Sequence, residues 1–480
     1  LKTKQLDSDV TPSPALRMKY ETLAAVAPIS RREFLTTAAV GGSAALSAGC
    51  AAPDHHAGEP IPAGNESALI VGAGVAGLAA ARSLADAGWP VRLIEARSRI
   101  GGRIHTNRDW GTPLELGASW IHGTTDNPLN ELAERARAQR VPTAYYESAK
   151  LAIDPRLSGV NYDNKVWRQF VSDACAEVDG GTVAAAVKAA ANREELTTTE
   201  RAELAFYVNS EIEEEYAADA DQLSANTFDQ GNFTSGPQVV ITSGYDAIPR
   251  LLADGLQIEL NTVVTAVVRR GTSVTVRAGD RSFEGRAAIV TAPLGVLKSG
   301  AIAFDPPLPD QHLRAVHALG FGALSKSFFR FDRRTWDEEN AFFHYLGSDD
   351  GMWTQWFTLP AAAGPIVLAF NAGHRGRWVE NATPGEVMTN ALPIARQLFG
   401  SDVAPVQVMS SRWTTDPYAL GCYSFHAPGS GLDDRRRLQE PIGDRLYLAG
   451  EAVTVDNPGD VHGALLSGRS AAAELMRRLR

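Results

Sequence analysis

Cysteine is scarce in this chain, with Cys50, Cys175 and Cys422 the only three in 480 residues. So few thiols, so far apart, build neither a disulfide framework nor a Cys-rich zinc site. No His-Glu-x-x-His run occurs and the ten histidines are scattered, so metal chemistry has no support. Positive charge is also in deficit. The formal net charge is −10, which argues against nucleic acid, whose phosphates call for a basic surface. Long apolar runs are missing too, so no transmembrane span is expected. What remains is globular in composition, 44% apolar and 21% charged. At this length one core is too few, and two domains are the expectation.

The first fifty residues read as an address. Ser30-Arg31-Arg32-Glu33-Phe34-Leu35 is a twin-arginine signature, followed from Thr36 to Ala48 by small, uncharged, mildly apolar residues. This predicts a partner, the twin-arginine export machinery, and a place in the periplasm, cell envelope or extracellular space. Ser47-Ala48-Gly49-Cys50 is similar to a lipoprotein cleavage site that would put a lipid anchor on Cys50. Ser47 stands where a large aliphatic residue is usual, and simple cleavage near Ala51 or Ala52 is the alternative. Residues 51–65 read as a linker.

The chemistry begins at Ala68-Leu69-Ile70-Val71, a short apolar run of the kind a buried parallel strand requires. Gly72-Ala73-Gly74-Val75-Ala76-Gly77 follows, then a helical pattern through Leu78, Ala81 and Leu84 to a stop at Gly88. Gly72 would make the tight turn, Gly74 would let backbone approach a pyrophosphate, and Gly77 would let helix and strand pack closely. The helix N-terminus then aims its dipole and free N–H groups at the phosphates. After the next apolar run, Glu95 is placed to accept from ribose hydroxyls and to repel a 2′-phosphate, which disfavours NADP.

Two features choose FAD over NAD. Gly101-Gly102-Arg103 combines a close backbone approach with a cation for the pyrophosphate. Far along the chain, Leu446 to Glu451 is another strand ending in Gly450 and an acid. After it Val461-His462-Gly463 opens a final helix whose positive end would face the flavin. The two ends of the chain would therefore build one site, with the middle inserted.

These segments resemble the flavin amine oxidases, and among them the polyamine oxidase branch that includes histone lysine demethylases. Glu115 to Gly123, Thr291 to Lys298, and Arg412 to Tyr418 with Gly421-Cys422-Tyr423-Ser424 are the other blocks that carry the likeness. The resemblance implies that Ala76, Ala96, Arg97, Gly117, Ala118, Ser119 and Trp120 join the cofactor shell, and that Val264 braces the adenine. It places Trp413 beside the isoalloxazine and Lys326 where a water is held near flavin N5. A lysine within an alternating, half-buried strand is itself costly unless its charge is used. Tyr423 matches one wall of the amine channel and His122 a histidine near it. Asp460 stands where relatives have Tyr or Thr; it would hold a substrate ammonium, cap the final helix, or both. Cys422 matches the position of a covalent flavin link in monoamine oxidases, while a buried, inert thiol is the ordinary fate; non-covalent FAD is favoured. The run Glu211 to Glu215 reads as a solvated helix face, with an acidic entrance for polycations as the alternative.

The expected fold class is α/β. A Rossmann-type, glutathione reductase-like FAD domain (residues 66–128, 236–304 and 406–480) is interleaved with an α+β substrate domain (129–235 and 305–405). Arg193–Glu215 is predicted helical. Phe328–Phe331, Gly351–Thr358 and Ile366–Phe370 are predicted strands, and Gly385–Leu398 a helix. The resemblance implies oxidation of a C–N bond to an imine, hydrolysed to aldehyde and amine, with O2 reduced to H2O2. Monoamine oxidase, amino-acid oxidase and an amine dehydrogenase using another acceptor are the alternatives.

Overall fold

A computed structural model describes residues 66–143, 149–337, 340–347 and 351–479. The expected twin-arginine segment, Cys50 and the expected linker lie outside the described residues. Five parallel strands form one sheet: β1 (Ala68–Val71), β2 (Val91–Ile94), β3 (Ile258–Glu259), β4 (Ala287–Val290) and β5 (Leu446–Leu448), in the order β5-β4-β1-β2-β3. β1 is the middle strand and all four of its residues are buried. That is why it reads as a continuous apolar run rather than an alternation.

Helix α1 (Val75–Asp86) springs from β1 through the glycine turn. Gly72 has φ +101°, a conformation that any Cβ would strain. A Cβ on Gly77 would overlap the carbonyl of Gly72, so the first turn of α1 closes on the strand end only with glycine there. The last helix, α2 (Val461–Leu479), lies along α1, and a Cβ on Gly468 would overlap the carbonyl of Ala76. Ile70, Leu78, Leu84, Leu465, Ala472 and Leu475 share one core, so the two ends of the chain are packed together.

The second large sheet has six strands in the order Pro405–Ser410, Leu324–Phe331, Ile366–Ala372, Gln355–Thr358, Phe342–Leu346 and Ala149–Ile153. Neighbours are antiparallel except the last two, which run parallel. Phe329, Phe331, Trp353, Trp356, Val367 and Phe399 fill the core on one face. Three sequence expectations shift. The strand expected at Gly351–Thr358 holds only Gln355–Thr358, because Trp353 turns into the left-handed region at φ +60°. The stretch Arg193–Glu215 is not one helix. It breaks at Glu195 (φ +51°), restarts at Thr198 under a Thr197/Glu200 capping box, and widens into a π-helical turn over Val208–Glu213.

The third shift concerns the acidic run. Ile212, Glu213 and Glu214 are buried, and Glu211 and Glu215 half-buried, so the solvated-face reading fails. The wide turn rolls these carboxylates inward, where Glu213 accepts from the backbone N–H of Ala220 (2.9 Å) and pairs with Arg375 (2.8 Å). Among the described residues no helix is long and apolar enough to cross a membrane.

Candidate active site

A cleft of about 520 Å³ runs from the glycine turn at the end of β1 to the six-stranded sheet. Every residue expected at the cofactor or amine site lines it except Gly77, whose contribution is the packing beneath the turn.

At the nucleotide end the carboxylate of Glu95 is held just past β2. It accepts from the backbone N–H of Ala73 (2.7 Å) and of Arg97 (2.8 Å), which ties the acid to the glycine turn. Arg97 pairs with Asp416 (2.6 Å) and lies over the Tyr418 ring (5.4 Å). Gly101 closes on the turn through its N–H to the carbonyl of Ala73 (2.8 Å). Arg103 donates through Nη1 to Glu451 (2.8 Å) and to the carbonyl of Cys422 (2.6 Å). Its other two nitrogens carry three further N–H groups for a phosphate.

Also on the cleft lining, α2 begins on Asp460, whose carbonyl accepts from Ala464 N–H (3.0 Å). Asp460 is buried, with its carboxylate 3.9 Å from His462 Nε2. His462 in turn is 3.0 Å from the hydroxyl of Thr234.

Lys326 stands on the cleft floor. The strand that carries it is buried on both faces from Ser325 to Phe329, so the half-buried alternation expected from sequence is absent. An edge lysine snorkelling to water is thereby excluded. Nζ donates to Ser119 Oγ (2.5 Å) and to the carbonyl of Gly117, and lies 5.3 Å from the centre of the Trp120 ring. Burial pulls its pKa down to about 8. Behind it the buried Glu115 accepts from Tyr245 N–H (2.8 Å), and burial raises that carboxyl to about 7.

Tyr423 is anchored through its hydroxyl to the carbonyl of Glu214 (2.9 Å). Trp413 is fixed twice, Nε1 donating to Leu116 C=O (2.8 Å) and its backbone N–H to the buried Glu380 (3.0 Å). His122 stacks on Trp120 with ring centres 6.4 Å apart, and its Nδ1 meets Gln238 at 2.7 Å. Cys422 accepts from Leu324 N–H (3.1 Å) and gives its own proton to Leu324 C=O (3.2 Å). Burial drives this thiol up to about 12.

Sequence reasoning missed Gln355 and Phe370 on the cleft wall, and gave the wall residues Glu214 and Glu215 the wrong environment. Phe370 and Gln355 come from neighbouring strands of one sheet, and no spacing in the sequence announces that pairing.

The five-stranded parallel sheet, the glycine turn at a helix start and the acid after β2 define a dinucleotide-binding protein. Its cleft extends beyond the nucleotide to a buried lysine among aromatic rings. The family model described as flavin containing amine oxidoreductase matches residues 75–225 and 163–476. Probable polyamine oxidase 4 of Arabidopsis thaliana is 32% identical over 437 residues, 86% of this chain and 87% of the relative. Polyamine oxidase 4 of Oryza sativa subsp. japonica is 31% identical over 445 residues, 86% of this chain and 89% of the relative. Lysine-specific histone demethylase 1 homolog 1 of the same rice is 33% identical over 452 residues, 86% of this chain but 52% of the relative. The chain belongs to the flavin-containing amine oxidoreductase family, and it is an FAD-dependent oxidoreductase acting on amines.

The residues present fit FAD. The cradle at Gly72, Gly74 and Gly102 is open to the cleft, and Gly102 has φ +57° with its Cα side against Gly74. Glu95 and the start of α2 both line the cavity.

Proposed function

We propose that this chain oxidises a C–N bond of a polyamine to an imine that water hydrolyses to an aldehyde and an amine, with O2 reduced to H2O2. The observation that carries it is a cleft whose lining combines carboxylates, aromatic rings and one buried lysine. Glu214, Glu215 and Asp460 line it, as do Trp120, Phe370 and Tyr423. Carboxylates and ring faces both attract ammonium groups, so a substrate with more than one cation is drawn further in than a monoamine. The polyamine oxidases of rice and Arabidopsis, alike over most of their length, support this choice.

FAD, when bound, would accept the hydride of the α-C–H bond while the amine loses its N–H proton and the C=N bond forms, and would pass the two electrons on to O2. The chain supplies the rest. Tyr423, held by Glu214, and Trp413, held by Glu380, set the walls against which the amine lies. Asp460 attracts the ammonium nearest the start of α2 and offsets its charge, while the same residue begins that helix. Lys326, held by Ser119 and Gly117, keeps a water at the floor and takes or returns its proton. His122, stacked on Trp120, borders the approach.

Anaerobic mixing with spermine, spermidine, putrescine, monoamines and amino acids tests the reading. Bleaching of flavin absorbance by a polyamine at lower concentration than by any monoamine is expected. Reduction by amino acids alone, or by no amine, would overturn it. Reoxidation by O2 with one H2O2 per turnover separates an oxidase from a dehydrogenase that feeds another acceptor.

Residues 1–50 complete the proposal as an export segment for the twin-arginine route, with the periplasm, cell envelope or outside as the destination. That route carries folded proteins, which suits a chain that must load FAD first. A lipid on Cys50 would tether the enzyme; mass spectrometry of the mature N-terminus distinguishes lipidation from simple cleavage.

A further inference from the structure

Three arginines stand in a row at Arg435-Arg436-Arg437 on the helix Leu432–Gln439. Arg436 and Arg437 point outward to Asp433 (2.6 Å) and Asp434 (3.1 Å) one turn back. Arg435 does the opposite. It is 1% exposed, the most thoroughly buried cation among the described residues. Placing a guanidinium there is unfavourable unless its donors are matched and its charge is used.

Its donors are matched by a chain of groups that ends in the cleft. Nε donates to His426 Nε2 (2.8 Å), and Nη1 to Ser424 Oγ (2.9 Å) and to the carbonyls of Glu451 (3.3 Å) and Ala452 (3.2 Å). A guanidinium can only donate, so His426 Nε2 is the acceptor and its proton sits on Nδ1, given to Thr227 C=O at 2.7 Å. The imidazole is thus neutral. Burial and then the Arg435 charge hold it down at about 4. Ser424 Oγ, already accepting from Arg435, turns its single proton to Glu451 Oε2 (2.6 Å). The other oxygen of Glu451 takes Arg103 (2.8 Å). Every donor and acceptor in the row Thr227–His426–Arg435–Ser424–Glu451–Arg103 therefore has one orientation.

We infer that Arg435 is a positioning residue for the cofactor, which fixes Glu451 and Ser424, and through them Arg103, as one unit against the FAD pyrophosphate. Two guanidiniums bracket a single buried carboxylate, so the unit carries one surplus positive charge beside a cleft that receives a dianion. Burial alone would raise Glu451, but Arg103 first, then the hydrogen bonds from Arg103 and Ser424 and the charge of Arg435, hold it below its ordinary value. Ser424 follows Tyr423 directly, so the same unit also anchors the strand end that presents the amine wall. The inference rests on the cleft being the FAD site.

The test is FAD dissociation from purified holoenzyme on dilution, read by flavin fluorescence, in a double-mutant cycle with Glu451→Gln. Arg435→Met and Ser424→Ala are each expected to weaken FAD binding by on the order of tenfold. In the Glu451→Gln background both losses should largely vanish, because the relay already lacks its anion. Equal losses in the two backgrounds would make Arg435 mere core support and overturn the inference. So would dissociation within about twofold of wild type with only a lower melting temperature. Should Arg435→Met not fold, Arg435→Lys serves, since an ammonium keeps the charge but cannot span His426 and Ser424 together. Wild-type protein that carries no FAD would instead defeat the cofactor reading itself.

Discussion

At the scale of single residues, Lys326 carries the sharpest consequence. Its folded-state pKa of about 8 lies below the ordinary 10.5, burial being the cause. Between those values the unfolded chain holds a proton that the folded chain lacks, so stability gains from Lys326 as pH rises through that window. Lys326→Met should remove that dependence and flatten the melting-temperature profile above pH 8. In the same variant the anaerobic rate of flavin reduction or its coupled turnover should fall by on the order of 10²-fold. A titration near 8 in kcat/KM should disappear with it, while the limb due to the substrate's own ammonium persists. A variant that keeps the full rate and both limbs would remove Lys326 from the chemistry.

Cys422 is the other residue with a definite outcome. Its sulfur is occupied on both sides by Leu324 and its pKa is driven up to about 12, so the thiolate needed for attack on a ring methyl is scarce at neutral pH. Acid precipitation is expected to leave colourless protein and a yellow supernatant, and Cys422→Ala to retain FAD. Colour that stays with the pellet would establish a covalent link.

At the scale of elements, the wide turn Val208–Glu213 explains what periodicity could not. A 3.6-residue helix would have spread Glu211 to Glu215 around its circumference, mostly toward water. The extra residue in the turn rotates Glu214 and Glu215 onto the cleft wall, and the carbonyl of Glu214 receives Tyr423. Glu214→Gln and Glu215→Gln should each raise KM for spermine several-fold, on the order of 1 kcal/mol per lost charge interaction. KM for a monoamine should stay unchanged. Equal effects on both substrates would assign the carboxylates to folding rather than to binding.

The elements also show which signals the sequence could carry. The glycine turn, Glu95 and the start of α2 were legible because each is local, a few residues whose types are dictated by backbone and dipole. Lys326 was picked out by the family resemblance and by the cost of a lysine in a half-buried strand, and the strand's burial on both faces makes that cost larger than the alternation suggested. Glu380 and Arg435 were invisible. Each acts on a segment far along the chain or on another helix, and nothing in their own neighbourhood distinguishes them from surface charges on exposed helices.

For the molecule as a whole, the cofactor site exists only when the first and last segments of the core are packed together. α1 and α2 touch along their length, closely enough that Gly468 admits no side chain against Ala76. FAD held in the cavity that both the turn before α1 and the start of α2 line would bind the folded chain and not the unfolded one. Mass action then adds RT ln(1 + [FAD]/Kd) to stability, about 4 kcal/mol at a free concentration a thousandfold above Kd. The melting temperature should therefore climb logarithmically with added FAD. Gly468→Val, which wedges α2 away from α1 by pressing on Ala76 at the cleft wall, should lower both FAD affinity and that slope. A melting temperature indifferent to FAD, in protein that binds it, would mean that FAD binds the unfolded chain as well as the folded one, and that the packed chain ends are not what makes the site.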